Sequence, residues 1–123
     1  MTRSPASTSL QLRIKFGATS AFGPGKADLL ECIAATGSIS AAAREMRMSY
    51  KRAWQLVDDM NRSFRNTVVS TTAGGTLGGG AGLTATGARV LKSYRALQRI
   101  ASAAAQDELS RFVRLAPARV KAE

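Results

Sequence analysis

The chain has no histidine and only one cysteine, Cys32, in 123 residues. The first absence removes the commonest general base and the commonest metal ligand together. The second rules out an internal disulfide, a Cys–His catalytic pair and a zinc cluster. A chain with no disulfide framework fits a reducing cytosol. Aromatics make up 6% of the residues, so a core has to rest mainly on aliphatic side chains and alanine. No apolar run approaches membrane-spanning length and no signal-peptide core is present, so the expectation is a soluble, cytoplasmic protein. The carboxylates Asp58 and Asp59 are adjacent and diverge on a helix, which leaves no acid–base pair. Neither catalytic residues, a metal site nor a cofactor is expected, and the chain is not expected to be an enzyme.

What is abundant is positive charge. Lysine and arginine number 18 against 8 acidic residues, a formal net charge of +10 with a pI near 11.1. Such a balance suits a polyanion such as nucleic acid or an anionic membrane surface. The charge is uneven. Residues 38–65 hold six cations and three carboxylates, 66–88 hold none, and 89–123 hold eight and three. No block is long enough to be a polybasic tail.

Residues 1–9 read as a disordered tail. In "LQLRIKF" the apolar Leu10, Leu12, Ile14 and Phe16 alternate with Gln11, Arg13 and Lys15, which predicts a half-buried strand over 10–16. "GATSAFGPG" reads as a loop, with Phe22 as an anchor. "KADLLECIAATG" places Leu29, Leu30, Ile33 and Ala34 on one helical face, with Gly37 closing the helix. Cys32 lies beside that stripe and reads as a small core-adjacent residue, not a redox centre. Ser40 caps a short helix, with Ser38 as a rival cap, and Ala42, Ala43, Met46 and Met48 point inward. Ser49 caps a longer helix with the apolar stripe Ala53, Leu56, Val57, Met60 and Phe64. Trp54 flanks that stripe. The β-branched run Thr67–Thr72, a glycine-rich loop and a return through Leu83 predict an irregular hairpin. The loop lacks the spacing of either phosphate-binding glycine motif. Thr84 or Thr86 then caps a last long helix, along which Val90, Tyr94, Leu97, Ala101 and Ala104 recur as a seam for this domain or a second copy.

Two capped helices separated by a tight turn form a helix-turn-helix. Its second helix would protrude with Ser49, Tyr50, Lys51 and Arg52 at its start, a shape that fits the DNA major groove. A hairpin directly after that helix is where the wing of a winged helix lies. The expected fold is mainly α with a small β-sheet: a winged helix-turn-helix at 10–84, a long dimerisation helix at 85–113, and a frayed tail at 114–123.

"TGSISAAAREMRMSYKRAWQLVDDMN", the stretch "GGTLGGGAGLTATG" and the long helix after it resemble the DNA-binding domain of the ModE family of molybdate-responsive transcription regulators. More distantly the chain is similar to LysR-type regulators. The resemblance implies a homodimer on a pseudo-palindromic, double-stranded DNA operator. The DNA-binding candidates are Ser40, Arg44, Arg47, Ser49, Tyr50, Lys51, Arg52 and Gln55, with Thr76, Gly78 and Gly79 in the wing. Arg47 stands where the family usually has glycine, so the turn is expected to differ or Arg47 to reach a phosphate. Family members that sense molybdate carry it in a separate C-terminal domain, and the expectation for this chain is no molybdate binding. Two rival readings remain: a basic protein that coats DNA without sequence preference, and an interaction or oxyanion-responsive module that has lost DNA binding.

Overall fold

The alternation at residues 10–16 becomes a strand over only three of them. In the computed structural model, which describes residues 8–72 and 80–117, β1 spans Ile14–Phe16 and pairs antiparallel with β2, Ser20–Phe22, in the register Ile14↔Phe22. The segment expected to be loop supplies this second strand through a turn at Gly17, whose φ is +67°. β2 offers only three residues to pair with, so the ladder stops there, and Leu10 is left exposed. Phe22 is the anchor expected of it, 2% exposed.

Three helices follow: α1, Pro24–Thr36; α2, Ile39–Glu45; α3, Tyr50–Ser63. α1 begins with proline in its first turn and ends at Gly37 in the left-handed conformation, the pairing that preset φ at one end and a missing Cβ at the other favour. Leu29, Leu30 and Ile33 are fully buried, each contributing about 1.5–3 kcal/mol of burial. Ala34, expected on that face, is exposed. The buried positions are Ile39, Ala42 and Ala43 on α2 and Ala53, Val57 and Met60 on α3. Leu56 is only half-buried at a groove edge. Phe64, just past α3, meets the rings of Phe16 and Phe22 edge-on at 5.2 and 5.9 Å.

A second antiparallel hairpin pairs β3, Val69–Thr72, with β4, Gly80–Leu83. Asn61 on α3 fixes its start. The Asn61 side-chain carbonyl accepts from the amides of Val68 and Val69 at 2.8 and 3.1 Å, and its NH2 donates to the Val69 carbonyl at 3.3 Å. The amide of Ala81 donates to the Gly37 carbonyl at 2.9 Å, tying β4 to the end of α1. α4, Ala85–Val113, is capped by Thr84, whose hydroxyl accepts from the Gly87 amide at 2.9 Å and donates to the Thr67 carbonyl at 2.6 Å.

The chain divides into two compact units. One runs from Arg13 to Tyr94 and holds both hairpins, α1 to α3 and the start of α4; the other comprises residues up to Leu12 and those from Arg95 onward. The division falls within α4, after Tyr94. The reason is Tyr94, which is 2% exposed with its ring 5.0 Å from that of Phe22. A side chain so enclosed belongs to its own chain's core and cannot also lie in a seam against a second copy. In the other unit, Thr8, Ser9 and Leu10 line a groove with Ser102, Gln106 and Val113 of α4, so the segment expected to be tail is placed from residue 8 onward. Residues 114–117 close α4 with turns, the amides of Leu115 and Ala116 donating to the carbonyls of Phe112 and Val113.

Lys26 and Asp59 form an ion pair between α1 and α3, with the Ser20 hydroxyl donating to the same carboxylate. The hydrogen bond from Lys26 lowers the Asp59 carboxyl below its ordinary value of 3.8, against the opposing effect of burial. A depressed folded value stabilises the protein at pH above that ordinary value, and the contribution is lost as pH falls through the folded value. Asp59→Asn should therefore lower stability at pH 7 by about 1 kcal/mol for a partly exposed pair, and the melting temperature with it. Melting curves should converge with the wild type as pH drops below about 3.8; curves that stay parallel would remove the pair from the stability of the fold.

Candidate functional site

The break between the two central helices is a hydrogen-bonded stop. The Arg47 amide donates to the Arg44 carbonyl at 3.1 Å and the Met48 amide to the Ala43 carbonyl at 3.0 Å, the paired bonds of a Schellman motif. That motif places one residue in the left-handed region, and here it is Arg47, with φ of 57°. A side chain costs about 1–2 kcal/mol there, partly offset by the greater unfolded freedom of glycine. Arg47→Gly should raise the melting temperature by a few degrees, whereas Arg47→Ala, which keeps a Cβ, should not. Equal melting for all three proteins would show that the turn carries no strain.

The start of α2 is capped by Ser38, whose hydroxyl accepts from the Ala41 amide at 3.0 Å. Ser40, expected in that role, is instead inside the helix and accepts from the Arg44 guanidinium at 3.0 Å. Ser38 wins because its φ and ψ of −154° and 131° are extended, as a cap requires. At α3 the expected cap holds: the Ser49 hydroxyl accepts from the Arg52 amide at 3.0 Å.

α3 presents its exposed first turns to two different grooves. Tyr50 and Trp54 share one side, their rings edge-to-face at 6.2 Å. They line a groove with Ser38, Ser40, Thr71, Thr72 and Gly80 of α2 and the β3–β4 hairpin. Arg52 and Gln55 share the other side. They line a second groove with Met48, Arg13, Thr19 and the Gly23–Lys26 start of α1. The run Ser49–Arg52, read from sequence as one surface, is thus divided by the helix itself, since successive residues are about 100° apart. Lys51, Arg47 and Arg44 lie outside both grooves, and all three are exposed. Among the described residues no carboxylate pairs with Arg44, Arg47, Lys51 or Arg52. Thr76, Gly78 and Gly79 lie outside the described residues.

Sequence reasoning placed Trp54 beside the core and Arg13 on the polar side of a strand; neither was named as a site residue. Period-two alternation gives Arg13 a direction but no neighbour. Cys32 is half-buried, and burial, followed by the negative charges of Glu45, Asp28 and Glu31, pushes its thiol up, away from the reactive thiolate. No group of three or more metal-ligating side chains occurs among the described residues, and no helix there is long and apolar enough to cross a membrane. On α4, Val90 and Ala101 are half-buried, Ala104 is exposed, and Leu97, Ile100 and Phe112 are exposed large apolar residues.

No family model matches the chain. A molybdenum-pterin-binding protein MopB of Rhodobacter capsulatus is 46% identical over 76 residues, covering 62% of this chain and 28% of that protein. A molybdenum transport protein ModE of Azotobacter vinelandii is 45% identical over 82 residues, 67% of this chain and 30% of its own length. A DNA-binding transcriptional dual regulator ModE of Escherichia coli is 40% identical over 77 residues, 63% of this chain and 29% of that protein. The chain thus spans about 30% of the length of these curated relatives.

Proposed function

We propose that the chain is a DNA-binding unit of the ModE family, a winged helix-turn-helix that recognises a double-stranded operator as a homodimer and regulates transcription. The observation that carries the reading is the α2–turn–α3 pair, which holds Lys51 and Arg52 free of carboxylate partners, among the described residues, at the exposed start of α3. The β3–β4 hairpin directly after α3 supports a wing. Among the relatives, the name of the Escherichia coli protein supports DNA-binding regulation. In this reading Ser40, Arg44, Arg47, Ser49 and Tyr50 contact backbone phosphates, while Lys51, Arg52 and Gln55 reach base edges. The dimer seam uses Val90, Leu97, Ala101 and Ala104, joined by the exposed Ile100, without Tyr94.

The molybdenum named in two of the relatives favours one second reading, an oxyanion-responsive module. The experiment is selection of bound duplexes from a random pool. Titration of the selected and random duplexes then follows at fixed salt, because phosphate contacts make any affinity salt-dependent. Sequence-specific recognition should give an affinity ratio of about 10 or more. A ratio near one favours a DNA-coating protein. No duplex binding, with a saturable molybdate site by calorimetry, favours the oxyanion module. Light scattering should show a dimer, and a folded monomer at high concentration would sink the seam.

A further inference from the structure

We infer that the groove between α3 and the start of the first hairpin is a second seat for the DNA backbone, with Arg13 as its phosphate-binding residue. The inference rests on the DNA-binding reading and extends it to Arg13, a residue outside the recognition motif. Arg13, immediately before β1, and Arg52, in the first turn of α3, line this one groove from separate elements. Among the described residues neither guanidinium has a hydrogen-bond or ion-pair partner. The other two charged residues in the groove, Lys26 and Asp59, neutralise each other. The free charge there is therefore that of two arginines, with no carboxylate left to repel an anion. The rest of the lining is largely small or polar, including Thr19, Gly23, Gly25 and Gln55. Gly25 faces open space, since a Cβ built there meets nothing within 4 Å.

The occupant follows from this chemistry. The Arg13 guanidinium matches phosphate oxygens, while Arg52 beside it stays at the base edges. Among the described residues no aromatic ring lines the groove to stack an unpaired base. Arg52 belongs both to the exposed start of α3 and to the groove wall, so a duplex held at α3 passes along the groove and meets Arg13. A phosphate contact positions the duplex without reading sequence. Arg13 should therefore contribute affinity and salt dependence, and no selectivity.

The test uses the whole chain and the variants Arg13→Ala and Arg13→Lys, titrated against selected and random duplexes at several salt concentrations. Arg13→Ala should weaken both duplexes alike, several-fold at moderate salt, and reduce the slope of log affinity against log salt by about one unit. Arg13→Lys, which keeps the charge, should restore most of the slope. Melting curves should be unchanged, because the guanidinium has no partner among the described residues. An unchanged slope in Arg13→Ala, with Arg47→Ala lowering it in parallel, overturns the groove and leaves the DNA reading intact. Failure of the wild type to bind any duplex overturns both. Saturable binding of inorganic phosphate that is lost in Arg13→Ala but does not compete with duplex would assign the groove to a free anion, and also overturns the inference.

Discussion

Replacing Gly87 by alanine is expected to unfold the 13–94 unit at temperatures where the wild type is intact. Gly87 is in the first turn of α4, and a Cβ there would lie 2.0 Å from the Val68 carbonyl oxygen and 2.9 Å from its carbon. Alanine is the better helix former by about 0.8–1 kcal/mol, so local propensity alone would stabilise the variant. The clash outweighs it. The obstructing atoms are backbone, and the same Val68 oxygen accepts the Thr84 amide at 3.0 Å. Relief requires α4 to move off β3, which breaks that bond and the Thr84–Thr67 bond and uncovers Val68 and Val69, now 0% and 2% exposed. The expected loss is about 3 kcal/mol or more, a fall of roughly 12 °C or more in melting temperature for a unit of this size. Gly25→Ala is the control: the same change, in a helix, into open space. A fall of less than about 4 °C for Gly87→Ala would mean that α4 does not start against Val68.

The second large effect is on binding. On a selected duplex, Arg52→Ala should cost about 1–3 kcal/mol, roughly 5- to 150-fold in affinity, and much less on random DNA. Arginine grips guanine with two hydrogen bonds in the major groove, where lysine acts more as a point charge. In the proposed reading Gln55, one turn on along the same side, would reach the next base edge. The competing explanation, an Arg52 engaged with a carboxylate of its own fold, predicts lost stability instead. No such pair exists among the described residues, and the cap bond at this position uses the backbone amide, which alanine keeps. The variant should therefore melt with the wild type. Arg47→Ala should weaken selected and random duplexes alike and lower the salt slope by about one unit. A folded Arg52→Ala protein with unchanged selectivity would take Arg52 off the reading surface.

Three kinds of feature were legible in the sequence. Helical periodicity marked α1, α3 and α4, because burying one face of a helix imposes a 3.6-residue spacing. The Ser49 cap and the Gly37 stop were legible because each is a local chemical requirement of a helix end. The absence of histidine and the excess of cations narrowed the chemistry directly, since side-chain inventory does not depend on folding. The misread cap at α2 shows the limit of local rules: Ser38 and Ser40 have equal chemistry, and only the extended backbone at Ser38 separates them.

Residues 13–94 meet across gaps in sequence that no periodicity spans. β2 was hidden in a loop-like stretch because its pairing with β1 lies in register, not in composition. Tyr94 sits on the same helical repeat as Leu97, yet one is enclosed by Phe22 and the other faces out, because the core ends between them. Asn61 looks like any helix-surface polar residue until Val68 and Val69 are brought to it. Asp59, an unremarked neighbour of Asp58, gains its lowered pKa chiefly from Lys26, 33 positions away. The sequence by itself determined which segments are helices, where most of them stop, and that the chain's charge suits a polyanion. These follow from spacing, caps and net charge, all of which act within a few residues or over the whole chain. Tertiary structure alone decided which cations find a carboxylate among the described residues, which side of α3 each candidate faces, and that Arg13 joins Arg52 in one groove. Those depend on contacts between distant segments, where a small displacement separates a buried partner from an exposed charge.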